Sequence, residues 1–402
     1  MRHSTRCRAF VFLWLALTGC TTPLTPTDDP ATLAAALGTF SGGTAGGAGT
    51  TLVGGARSFA GSVRGASAFQ LFNLGGANAG DRFDLTLRSP AASISFVVVL
   101  LDADQDMVIR GVLSNSTSLA HVMRHASGAM QLGVMPASTG GGGDFEVIVQ
   151  QTASNAAGPT PQVVYLNYAG GVNVRVHTQP PTSFGSFDAG RLGSAYAGQT
   201  AAMKSAITQA MRDDYAFYNV TIVSSDEGPP PATTYSTVHF GGNLTGLLGL
   251  ADNVDMYNVN PAQNAIVYTE VFASYQSMQL DASEMALMIA NVASHELGHL
   301  LGLFHTRNPS DLMDTTGSAW DLVQDQRFVR VELEPSVFLV GMGNSPRLLE
   351  QTVGLRPGAA AKSPAGITSS TIYAKYERRA RLRALVDDHL AHGCGTCLHL
   401  DD

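Results

Sequence analysis

The chain has 402 residues, of which 14% are charged, with 43 glycines, 18 prolines and four cysteines. That length suits two domains with tails, and low charge with abundant Gly and Pro reads as an exported, loop-rich protein more than a helical cytosolic enzyme. A formal charge of −8 gives no basic footprint, which argues against nucleic acid as a partner.

At the N-terminus, Arg2, Arg6 and Arg8 flank an apolar run from Phe10 to Leu17, too short to span a bilayer. Leu17-Thr18-Gly19-Cys20 follows and resembles the lipobox of bacterial lipoproteins. The resemblance implies removal of residues 1–19, lipidation of Cys20, and a membrane-anchored place in the bacterial envelope, at the outer membrane or cell surface. Thr21 is not the Asp of the enterobacterial inner-membrane retention signal. The other reading is an ordinary signal peptide with an incidental cysteine. Residues 20–55 are dominated by Thr, Pro, Ala and Gly, a composition that cannot bury enough apolar surface to order itself and predicts a flexible tether.

Residues 56–155 predict an all-β antiparallel sandwich. Phe83, Leu85 and Leu87 alternate with Asp84, Thr86 and Arg88, the period of a half-buried strand. Ile94 to Leu101 is a largely β-branched run, and Phe145 to Val149 closes the segment; Gly and Asn punctuate the strands. The pattern is loosely similar to the pre-peptidase C-terminal domains that accompany secreted bacterial proteases. Asp102, Asp104 and Asp106 invite a Ca2+ reading, which Met107 and Leu113 do not support: an EF-hand loop needs Gly and Glu there. A hairpin turn is expected instead. His121 and His125 have helical ligand spacing but no adjacent acid or third ligand, and are read as ordinary.

A Pro- and Gly-containing joint at 156–161 opens the next domain, 160–356. Val163–Tyr168 reads as a strand and Gln199–Tyr218 as a helix, with Met203, Ile207, Met211, Tyr215 and Tyr218 on its buried face. Asn219–Val223, Thr237–Phe240 and Ala265–Tyr268 read as further strands, with His239 a structural histidine. Asp281 with Glu284 three residues on is a capping box with Asp in the Ser/Thr place, so a helix begins there.

That helix carries His295-Glu296-x-x-His299-x-x-Gly302-x-x-His305. Two histidines four apart leave one helix face and can share a metal. Glu296 can take the proton of a metal-activated water. Gly302 permits the positive φ with which a chain leaves a helix, returning His305 as a third ligand. Three histidines keep one tetrahedral position open, the mark of a catalytic zinc.

These residues resemble the zinc signature of the metzincin metallopeptidases, and Asp311-Leu312-Met313-Asp314 follows where that family places a methionine turn beneath the metal. The spacing, and Thr306 after the third ligand, are similar to the matrixin branch. The resemblance covers about twenty residues. It implies an α+β metzincin-like catalytic domain, a twisted mixed sheet with an active-site helix, and a zinc endopeptidase acting on protein or peptide substrates. Zinc would sit on His295, His299 and His305, Glu296 would be the general base, and Met313 would floor the site without ligating. By the same likeness Gly246–Ala251 would form the sheet edge where a peptide adds as a strand. Residues 315–324 would border the pocket for the side chain just after the cut bond. After Met313 the next tyrosine is Tyr373, which puts a Tyr ligand of the astacin or serralysin kind in doubt, and no thiolate-plug segment is visible. The competing reading is a non-catalytic, surface-binding lipoprotein with a metzincin-like scaffold. Residues 357–402 read as a tail with a basic helix and Cys394-Gly395-Thr396-Cys397, open to a disulfide, a metal knuckle or a redox pair.

Overall fold

The computed structural model describes residues 43–45 and 49–357, apart from 53, 54, 92 and 139. The expectations for residues 1–19, for Cys20, and for the basic helix with Cys394 and Cys397 lie outside the described residues.

The first region holds ten strands: β1 Gly43–Ala45, β2 Thr50–Thr51, β3 Arg57–Arg64, β4 Phe69–Ala77, β5 Asp81–Arg88, β6 Phe96–Leu101, β7 Met107–Leu113, β8 Ser118–Val122, β9 Ser127–Pro136 and β10 Gly142–Ala153. They form two five-stranded sheets, β1-β4-β9-β6-β7 and β2-β3-β10-β5-β8. Pairing is antiparallel except between β1 and β4. Inward residues of both sheets, including Phe72, Phe96 and Leu132 from one and Phe83, Leu85 and Val147 from the other, share one apolar core. The stretch read as a tether needs a correction at its end. Gly43–Ala45 pairs with Phe69–Leu71, and Thr50–Thr51 with Arg57 and Ser58. Main-chain pairing at an open sheet edge requires no apolar side chain, so a Gly- and Thr-rich segment can join a sheet that it could not nucleate.

The second region is mixed α/β. Strands β11 Gln162–Asn167, β12 Gly171–Val174, β13 Thr182–Phe184, β14 Val220–Ser224, β15 Ser236–Phe240, β16 Gly249–Ala251 and β17 Asn264–Val267 are followed by β18 Arg330–Glu332 and β19 Met342–Asn344. The main sheet has the order β14-β11-β15-β17-β16, with β16 as its antiparallel edge. Helices α1 Thr200–Asp214, α2 Ala282–Leu300 and α3 Ser345–Val353 accompany it. Met203, Ile207, Met211, Tyr215 and Tyr218 are buried against α2 and the sheet, in the core the periodicity indicated. The helix they were read into ends four residues early, at Asp214; Tyr215 and Tyr218 pack from the turn that follows it.

The two regions are welded together. All six residues of β6 are buried, because Phe96, Val98 and Leu100 face the first core while Val97, Val99 and Leu101 pack with Leu333, Val337, Phe338 and Val340. A continuous apolar run is what a strand covered on both faces requires. The Asp102–Asp106 loop is a turn, as expected from sequence, and it is also a socket. Arg347 reaches Asp102 at 2.7 Å, Asp106 at 3.0 Å and Asp104 at 3.1 Å, and Arg330 reaches Asp106 at 2.6 Å. Asn344 donates to the second Asp106 oxygen at 2.6 Å. His121 and His125, read as ordinary, both sit at this junction. His121 stacks on Tyr257 (ring centroids 4.9 Å apart) and His125 bonds Asp102 at 3.0 Å.

Candidate metal centre

Helix α2 starts as its sequence dictates: Asp281 Oδ1 accepts from the Glu284 amide at 2.9 Å, and the Glu284 carboxylate accepts from the Asp281 amide at 3.0 Å. Apart from Glu284, the residues from Ala282 to Leu300 are buried. Tyr215 donates to the Ser294 carbonyl at 2.8 Å, and Ser294 donates to Asp214 at 2.6 Å, which fixes the helix one residue before His295. At the other end Gly302, φ 94°, turns the chain. Its amide bonds the His299 carbonyl, and that of Leu303 bonds Gly298, each at 2.9 Å, the paired bonds of a Schellman cap. A Cβ on Gly302 would lie 2.6 Å from Met256 Cα and 2.9 Å from the Asp255 oxygen, both backbone atoms that cannot swing aside.

This turn brings His305 to His295 and His299, with ring centroids 4.7 to 5.2 Å apart. His295 Nδ1 is bonded to the Leu312 carbonyl and His299 Nδ1 to the Leu303 carbonyl, both at 2.8 Å. Those bonds place the proton on Nδ1 and free Nε2 as a lone-pair donor. The Nε2 atoms of His299 and His305 are 3.0 Å apart, near the roughly 3.3 Å that two nitrogens on one tetrahedral zinc require. His295 Nε2 is buried without a hydrogen-bond partner, and the donor atoms of the three residues lie within 4.8 Å of one another. Burial holds the His295 imidazole down to about 3 and that of His299 to about 4, and pushes His305 well below its ordinary value. Neutral, convergent and desolvated imidazoles are the ligand form, so these residues fit a zinc ion.

Glu296 is 3% exposed, and burial pushes its carboxyl up to about 8. A Cβ at Gly249, on edge strand β16, would meet Glu296 Oε1 at 2.5 Å, so a glycine there gives the carboxylate room. Met313 is fully buried beneath α2: a Cβ on Gly298, between the two helical histidines, would meet its sulfur at 2.6 Å. The Met313 turn is held by Thr306, whose amide bonds the Met313 carbonyl at 2.9 Å and whose hydroxyl bonds Asp311 at 2.6 Å.

A cavity of about 80 Å³ adjoins His295 and Glu296. Leu248, Val292 and Leu312 wall it, and Asn291, Asp314 and Asp321 add polar groups. Sequence reading brought the three histidines, Glu296 and Met313 to one place, and the structure assembles them there; Cys20 lies outside the described residues. Sequence reading placed Gly249 within the Gly246–Ala251 edge but not against Glu296, and missed Asn291. Asn291 had a signal, a buried polar residue one helical step of four before His295, on the ligand face. The closeness of Gly249 to Glu296 had none, since it depends on how the strand crosses the helix.

Residues 207–328 match the family model for matrixin. No curated protein matches the chain. Among solved structures, the chain is similar to a periplasmic inhibitor of g-type lysozyme, PliG, from Aeromonas hydrophila (16% identity, 28% of this chain and 98% of that one, TM-score 0.22). The pre-peptidase C-terminal domain of a Bacillus anthracis collagenase gives 17% identity over 27% of this chain and 93% of that one, TM-score 0.19. Archaemetzincin from Methanopyrus kandleri gives 11% over 42% and 87%, TM-score 0.23. Those TM-scores are too low for any of the three to bear on function. The matrixin match spans α2 and all three histidines, and it supports a metzincin-like domain in this part of the chain.

Proposed function

We propose that the chain is a zinc-dependent endopeptidase, exported and held at a bacterial membrane by lipid on Cys20. Its metzincin-type catalytic domain would be carried behind an all-β sandwich. The observation that carries the catalytic part is the pinning of Nδ1 on His295 and His299 to carbonyl oxygens, which points the unprotonated nitrogens at one locus beside Glu296. Zinc bound there would polarise a peptide carbonyl and acidify water. Glu296 takes the proton from the attacking water and returns it to the leaving amine, one carboxylate serving both directions. A carboxyl held up by burial, and lowered again by a nearby dication, exchanges protons near neutrality. Edge strand β16 offers main-chain groups to which an extended peptide can add, so binding would depend on backbone more than on sequence.

The test is zinc per chain and cleavage of a mixed peptide library, with and without chelator, for the full chain and for Glu296→Gln. One zinc per chain with chelator-sensitive cleavage, absent in the variant, is the expected result. One zinc without cleavage by either protein would favour the non-catalytic scaffold. The anchor on Cys20 is tested by membrane partition of the expressed chain against Cys20→Ser.

A further inference from the structure

We infer that the cavity beside Glu296 receives a cationic side chain, Lys or Arg, from the substrate residue next to the cut bond. The inference rests on the peptidase reading for its substrate, though the cavity's chemistry stands independently. His295 and Glu296 line this cavity, so a side chain seated in it belongs to a residue adjoining the reacting carbonyl. The walls from Leu248, Val292 and Leu312 suit the methylene stem of a long side chain.

The same lining holds Asn291, Asp314 and Asp321 beside the neutral side chains of Thr315, Ser318 and Gln326. Asn291 is 1% exposed. Both protons of its Nδ2 are given, to the Leu322 and Gln324 carbonyls at 2.8 Å each. This settles the amide orientation and leaves Oδ1 buried and unpartnered on a residue that lines the cavity. An unpaired buried acceptor is costly, and a donor from a ligand would recover that cost.

Asp314 and Asp321 supply the charge. Asp314 is oriented by the Thr316 hydroxyl at 2.7 Å and the Gly317 amide at 2.6 Å; Asp321 by the Ser318 amide at 2.6 Å and its hydroxyl at 2.7 Å. These bonds fix the carboxylates without neutralising them. Burial pushes the Asp314 carboxyl up; the Thr316 and Gly317 bonds oppose that rise, and the Asp321 charge adds to it. No Lys or Arg lines the cavity. Two carboxylates and a free amide oxygen, set among apolar walls, match an ammonium or guanidinium on a hydrocarbon stem.

Two readouts test this in the full chain. In a peptide library varied on both sides of the cut, the zinc-loaded protein should favour Lys or Arg over Leu at one adjoining position by at least tenfold in kcat/KM. Asp321→Asn should bring the ratio near unity, and Asp321→Lys should turn it toward Glu. Independently, n-butylguanidinium should raise the melting temperature of metal-free wild type, n-butanol should not, and Asp321→Asn should abolish the shift. Cleavage with Leu preferred, or a shift indifferent to Asp321, overturns the inference while leaving the peptidase standing. An Asp321-dependent shift with no peptide cut upholds the cavity and overturns the peptidase.

Discussion

Among the described residues two groups of three side chains could each hold a metal ion, His295/His299/His305 and Asp102/Asp104/Asp106. Their surroundings differ. Of the histidines, His295 and His299 are buried and His305 is half-buried, and the first two are pinned through Nδ1 to carbonyl oxygens. The aspartates face two guanidinium groups, Arg347 and Arg330. Carboxylates already paired in this way gain little from a cation that must first displace its competitors, whereas the buried His295 Nε2 has no hydrogen-bond partner. Clustering of ligand-type residues is therefore a poor guide to a metal until the charge around it is counted. The first group could hold a metal; the second holds two regions of one chain together across 245 residues of sequence.

The largest effect expected is on the histidine side. Glu296→Gln should retain one zinc per chain and lose about a thousandfold or more in kcat, measured by metal analysis and peptide cleavage on the same sample. On the aspartate side, Arg347→Ala leaves Asp102 and Asp106, side chains 2% and 4% exposed, short of a counter-charge. A loss of about 3 kcal/mol is expected, at the low end for a broken buried pair because Arg347 is itself partly solvated. Urea unfolding of Arg347→Ala, Asp102→Asn and the double variant should reveal coupling; strict additivity would show that the socket is ornamental.

Acid should act on the same junction. Burial, with the Arg124 and His125 charges adding to it, holds His121 down to about 4. The unfolded chain binds that proton near 6.5, so the stability due to neutral His121 is complete above pH 6.5 and is lost as pH falls toward 4. The drop should be on the order of 2 to 3 kcal/mol, read as the difference between the wild-type and His121→Phe stability curves across that window. Equal slopes would remove His121 from the account. Gly302→Ala should cost about 2 kcal/mol for its left-handed backbone and should weaken zinc binding by displacing His305. The smallest effect is a null one: millimolar calcium should leave the melting temperature unchanged, and a clear rise would return Asp102–Asp106 to the list of metal sites.

What could be read from the sequence was local. The capping box at Asp281, the i to i+4 pair His295/His299, the positive φ at Gly302 and the apolar face of α1 all follow from periodicity and steric rules that operate within a few residues. The candidate site was legible for the same reason, since Met313 follows His295 within a single short stretch. The alternation in β5 marked one buried face correctly. The continuous run in β6 was legible as a strand, and its burial on both faces came only from the structure.

Tertiary structure decided the rest. Pairing of Arg347 with the Asp102 loop, packing of Phe338 on Val99, and the stack of Tyr257 on His121 join residues more than a hundred positions apart, and no local pattern encodes a partner at that range. The same holds for the cavity. Likeness placed 315–324 at a pocket and spacing put Asn291 on the ligand face, but Asn291, Asp314 and Asp321 meet in one lining only because α2 and the turn after Met313 close around one space. Short-range sterics and hydrogen bonding are written into neighbouring residues, so the sequence by itself determined the helix and the spacing of its histidines; burial and counter-charge belong to the folded chain, and these decided how the two clusters differ.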